Sequence, residues 1–107
     1  MSKNINDVIK LFPTVMTSNI PRTGKKVIQY KISNPIYVIL ENGQCSVHDG
    51  LAPQFDVAVQ VKDEDLLAMF KDELSPPYAY MTGKLKIEGD LLFAQKLPIL
   101  FDIKKIV

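Results

Sequence analysis

The chain has 107 residues, 47% of them hydrophobic, and carries 13 Lys and Arg against 12 Asp and Glu for a net charge of +1. That length sets one domain, residues 1–107, around a single core, and the interspersed charges lack the concentrated basic field of a protein that grips nucleic acid. A single cysteine, Cys45, excludes an internal disulfide framework, and no apolar run approaches the roughly 20 residues of a membrane span, so the expectation is a soluble, cytoplasmic protein making at most transient contact with a membrane surface.

In chain order, Ile5, Val8, Ile9, Phe12, Val15 and Met16 recur at helical spacing and predict an amphipathic helix over residues 4–17, strained or kinked at Pro13. After a loop over 17–24 the period changes. Ile28, Tyr30 and Ile32 alternate with Gln29 and Lys31, the pattern of a half-buried strand. Asn34-Pro35 marks a turn, and the apolar run Ile36 to Leu40 predicts a central strand buried on both faces. Asn42-Gly43 is a hairpin signal, Cys45 and Val47 alternate with Ser46 and His48 on the return strand, and Asp49-Gly50 ends it. Val57, Val59 and Val61 alternate along a fourth strand.

Asp63, Glu64 and Asp65 then open a helix carrying Leu66, Leu67, Phe70 and Leu74, where acidic residues suit the positive end of the helix dipole. Ser75-Pro76 starts another helix with Gly83 as its C-terminal cap, and Leu85 and Ile87 supply the fifth strand. Asp90 caps a final helix to Phe101. Phe93, Leu97, Leu100 and Phe101 form one stripe of it while Leu92 and Ile99 occupy another side, so the helix is apolar on most of its circumference. Pro98 should bend or loosen its last turn, making it a candidate gate. The order α-β-β-β-β-α-α-β-α predicts an α+β fold: a five-stranded, mainly antiparallel sheet with helices covering one face.

Groups for catalysis are sparse. His48 and Cys45, each single of its type, are three residues apart on a strand and so point to opposite faces, which rules out a nucleophile and base dyad. Cys45 reads as a small core residue and His48 as a surface residue. No zinc set can be assembled, the 63–65 acidic run lacks the spacing of a calcium loop, and there is no glycine-rich phosphate loop or nucleophile elbow. No catalytic residue, metal or cofactor is expected, and the chain does not read as an enzyme.

The apolar residues are in excess. Met69, Phe70, Leu74, Tyr78, Met81, Phe93, Leu97, Leu100 and Phe101 lie on three successive helices with little polar surface, more than one face of a short sheet covers. Flexible methionines and amphipathic tyrosines also suit variable apolar ligands. On pattern alone, a ligand pocket and a core with a dimer interface stand level.

The run CSVHDGLAPQFDVAVQV, followed by KDEDLLAMFKDELSPPYAYMTGKLKIEGDLLFAQKLPILF, resembles the sterol carrier protein type-two domain family over about residues 36 to 101, most specifically in GKLKIEGD at Gly83 to Asp90. The resemblance implies a five-stranded α+β fold whose helices enclose a hydrophobic cavity. It also implies non-catalytic binding or transfer of a sterol, fatty acid, acyl-CoA or phospholipid, with the nine residues just named lining or gating the cavity. Lys62 departs from the serine-like helix cap frequent in the family, and the C-terminal IKKIV is not a peroxisomal address, which fits a stand-alone microbial member better. The partner expected is a hydrophobic small molecule, for a monomer or homodimer. The alternative is an accessory module whose apolar helices dock onto a partner enzyme or a second copy.

Overall fold

The computed structural model describes residues 4–107; positions 1–3 of the expected domain lie outside the described residues. Helix α1 spans Ile5–Lys10, opened by the Asn4 side-chain oxygen, which accepts a hydrogen bond from the Asp7 N–H at 2.9 Å. The expected helix over 4–17 stops short, and a 3-10 turn follows at Phe12–Thr14. The cause is Pro13, which disfavours helical backbone at the preceding residue and offers no N–H to the ladder. The change of direction carries Phe12 fully into the core.

Strands β1 (Lys25–Lys31), β2 (Ile36–Glu41), β3 (Gln44–Asp49), β4 (Val57–Val61) and β5 (Leu85–Gly89) form one sheet in the order β3-β2-β1-β4-β5. Three neighbouring pairs are antiparallel and β1–β4 is parallel, so the sheet is mixed. The Asn42-Gly43 turn holds both residues at positive φ, 52° and 80°, as a tight hairpin requires. The alternation read from sequence sets the faces: Ile28, Tyr30, Ile36, Val38, Leu40, Val57, Val59, Val61 and Leu85 are buried in one core.

Because β3 and β4 run the same way, the segment between them returns across the opposite face of the sheet. Gln29, buried on that face, ties it down. Its amide N–H groups donate to the carbonyls of Ile36 and Gly50, each at 3.2 Å, and its side-chain oxygen accepts from the Ala52 N–H at 2.7 Å. This cover is partial. Tyr37 and Ile39 are only half-buried, so β2 is not buried on both faces as its apolar run suggested. His48 is exposed and stacks on Tyr37 at 5.2 Å between ring centroids.

The helices cover the other face: α2 (Asp63–Phe70), α3 (Pro76–Met81), α4 (Leu91–Ala94) and α5 (Leu97–Leu100). The single helix expected from Asp90 to Phe101 is two. Pro98 has no N–H for the Ala94 carbonyl, so the ladder cannot continue, and the chain tightens into a turn with Lys96 N–H donating to Phe93 O at 2.9 Å. The break therefore falls at Gln95–Lys96 rather than in the last turn. Pro98 opens α5 in its first turn, where a missing donor is harmless.

The GKLKIEGD block is explained by this frame. Gly83, at φ +80°, ends α3; Leu85 is buried and Ile87 packs against the core; Asp90 caps α4 by accepting from the Phe93 N–H at 3.0 Å. Gly89 lies against Asp56, where an added Cβ would stand 2.3 Å from the Asp56 carbonyl oxygen. That same carbonyl accepts from the Asp90 N–H at 2.8 Å, and the Asp56 carboxylate accepts from the Val27 N–H at 2.7 Å. The block is therefore the junction where β1, β4 and β5 end together.

Candidate functional site

The nine residues expected to line a cavity divide by depth. Phe93, Leu100 and Phe101 are buried in the core, Met69, Phe70, Leu74 and Leu97 are half-buried and packed against it, and Tyr78 and Met81 are exposed. Two of them meet at Phe12. Its ring stacks on Phe101 at 4.4 Å between centroids, approaches Phe70 at 5.8 Å and meets Tyr30 edge-on at 6.3 Å. Phe12 and Tyr30 are thus the residues at the centre of the layer between helices and sheet, and neither stood among the nine. A usable signal was present: Phe12 precedes Pro13, which takes it out of the helical stripe to which spacing had assigned it.

The α4–α5 segment is held at both ends. Lys26 Nζ lies 3.6 Å from the Asp90 carboxylate and 5.3 Å from the centroid of Phe93. The Phe93 N–H, with Lys26 beside it, holds the Asp90 carboxyl below its ordinary range. At the other end the Thr17 hydroxyl donates to the Ile99 carbonyl at 2.6 Å, the Thr17 N–H donates to Leu100 O at 3.0 Å, and Asp102 N–H donates to Val15 O at 2.8 Å. Between these clasps each helix has only four residues, and Leu91, Leu92 and Ile99 remain exposed. Alpha helices that short have little hydrogen bonding of their own, so their placement depends on packing and on the two clasps.

Three surface clefts are lined mainly by polar residues or by the face that carries Tyr37 and Ile39, and none is lined by any of the nine. Burial pushes the Cys45 thiol up to about 11, so it stays protonated and a poor nucleophile at neutral pH. Among the described residues no group of three or more His, Cys, Asp or Glu could hold a metal ion, and no helix is long and apolar enough to cross a membrane. Asp63 serves the fold instead, its carboxylate accepting from both the N–H and the hydroxyl of Ser33. As Lys62 foreshadowed, α2 begins without a side-chain cap.

A sheet whose helical layer is apolar and centred on an aromatic cluster is compatible with several folds of carrier. The match that decides among them runs over residues 5–102, nearly the whole chain, to the SCP-2 sterol transfer family. The chain belongs to that family. SCP-2 domains bind or transfer lipids, and their α+β fold is the one found here. The crystal structure of sterol carrier protein 2 like 2 from Aedes aegypti is 31% identical, superposes with a TM-score of 0.69, and the match covers 91% of this chain and 93% of that one. The solution structure of palmitated sterol carrier protein 2 like 2 from the same mosquito is 30% identical with a TM-score of 0.65, over 95% of this chain and 90% of that one. A hydroxysteroid dehydrogenase-like protein 2 of Xenopus tropicalis is 28% identical over 90% of this chain, which spans only 24% of that protein. The matched stretch is there one part of a much longer chain.

Proposed function

We propose that this SCP-2 domain binds one lipid-like ligand, a sterol, fatty acid, acyl-CoA or phospholipid, between its sheet and the helices α2 to α5, and carries it without catalysis. Met69, Phe70, Leu74, Tyr78, Met81, Phe93, Leu97, Leu100 and Phe101 line or gate the site. The observation that carries this reading is the apolar surplus of the helical layer: Tyr78, Tyr80, Met81, Leu91, Leu92 and Ile99 are all more than half exposed on helices of four to six residues. Helices this short have little hydrogen bonding of their own and can part from the sheet, and their apolar side chains can then cover a ligand. The palmitated mosquito relative supports an acyl chain as one occupant. Burying about ten methylenes at roughly 0.8 kcal/mol each supplies about 8 kcal/mol against the roughly 4–15 kcal/mol that association costs.

Leu97→Asp is expected to weaken binding of a fluorescent long-chain fatty acid at least about tenfold, since it sets a carboxylate beside the acyl chain. Unchanged affinity in a still-folded variant would remove α5 from the site. A second reading is favoured by the exposed Leu91 and Leu92 and by the length of the frog relative: the domain docks through these helices onto a partner enzyme or a second copy and delivers an apolar substrate there.

A further inference from the structure

Among the described residues, the core-facing side of the sheet carries a phenol hydroxyl amid aliphatic side chains. Tyr30 lies next to the C-terminal end of β1, between Ile36 of β2 and Val59 of β4, and only 4% of it is exposed. Its ring meets the edge of Phe12, at the centre of the helix–sheet layer. Its hydroxyl has no hydrogen-bond partner among the described residues, although every fully sealed side-chain nitrogen or oxygen there is satisfied. The Tyr30 oxygen therefore sits at a residual opening rather than in closed packing. The contrast with its neighbour Gln29 is direct. Gln29, equally buried on the opposite face, has its side-chain amide bonded through both oxygen and nitrogen to the backbone. A hydroxyl at such an opening, on a side chain otherwise buried among apolar residues, is free to bond a group that enters there.

We propose that the Tyr30 hydroxyl is the polar anchor of the ligand site and donates a hydrogen bond to a neutral oxygen, an alcohol or ester carbonyl, of the bound lipid. This inference rests on the ligand-binding reading above and adds the chemical class the site selects. Neutrality follows from the surroundings: Ile28, Ile36, Val59 and Phe12 are apolar and buried, the Cys45 thiol that acts on the phenol stays protonated, and none of them compensates a carboxylate. Burial also holds the phenol itself in its protonated, donating form. An ionised head group would have to lie outside this part of the core.

The test compares 12-(1-pyrenyl)dodecanol, 1-dodecylpyrene and 12-(1-pyrenyl)dodecanoate on the wild type and on Tyr30→Phe. Because the hydroxyl is unpartnered, Tyr30→Phe should fold with an unchanged or slightly higher unfolding midpoint. In the wild type the alcohol is expected to bind more tightly than the alkane, and Tyr30→Phe to weaken the alcohol about three- to tenfold while leaving the alkane unaltered. Alcohol affinity that survives Tyr30→Phe, or carboxylate binding that falls with it while the alcohol does not, overturns the anchor and leaves the ligand site standing. Wild-type protein that binds none of the three probes overturns both. On the unmutated protein, the Cζ carbon resonance of Tyr30 should shift with the alcohol and stay in place with the alkane; equal shifts would also contradict the proposal.

Discussion

Gly89→Ala is expected to lower the stability of the domain by about 3 kcal/mol, or about 15 °C in unfolding midpoint for a chain of this size. Two effects add. The backbone holds φ at +94°, which an L side chain rarely adopts, and the new Cβ would fall 2.3 Å from the Asp56 carbonyl oxygen. Relief would require Asp56 to move, but that residue bonds the N–H groups of Asp90 and Val27 and so ties three strand ends together. Gly83→Ala supplies the control within the same block. Gly83 has φ +80° with nothing within 4 Å of its Cβ position, so only strain of about 1 kcal/mol is expected. Thermal unfolding of the two variants side by side separates close approach from backbone strain. Equal midpoints would show that the contact with Asp56 is unimportant.

Phe12→Ala is expected to cost about 4 kcal/mol by urea unfolding, whereas Phe12→Leu should cost about 1.5 kcal/mol or less. Phe12 is fully buried and is the ring that Tyr30, Phe70 and Phe101 all contact. Alanine leaves a void that a sheet on one side and α2 with the 97–101 segment on the other cannot both close. A loss near 1 kcal/mol for the alanine variant would mean that the helical layer collapses freely onto the sheet, and that its centre is not a fixed aromatic cluster.

Both variants touch features that the amino-acid sequence shows unequally. Alternation on the strands, the Asn42-Gly43 hairpin and the Asp90 and Ser75 caps were legible because each depends on residues adjacent in the chain. Helix ends near Pro13 and Pro98 were not, since periodicity in both stretches continues past the point where the backbone ladder stops. The parallel pairing of β1 with β4 was also hidden: it depends on the 50–56 segment crossing a sheet face, which Gln29 secures through partners 7 to 23 residues away. The GKLKIEGD block was legible as a motif, but its reason was not. Gly89 needs space because of Asp56, 33 positions earlier. As for the candidate site, Phe70 and Phe101 were read from the chain as members of an apolar excess. Phe12 and Tyr30 looked like ordinary members of a helix stripe and a strand face until the fold set them against each other.

The measurement that bears most directly on ligand binding is mass spectrometry of the purified protein under native conditions, paired with analysis of its organic extract. One lipid per chain, recovered in the extract and lost on unfolding, is the expected result. An empty protein that takes up neither palmitate nor a long-chain alcohol, and that instead associates into dimers as its concentration rises, would contradict it and establish the apolar helices as a docking surface.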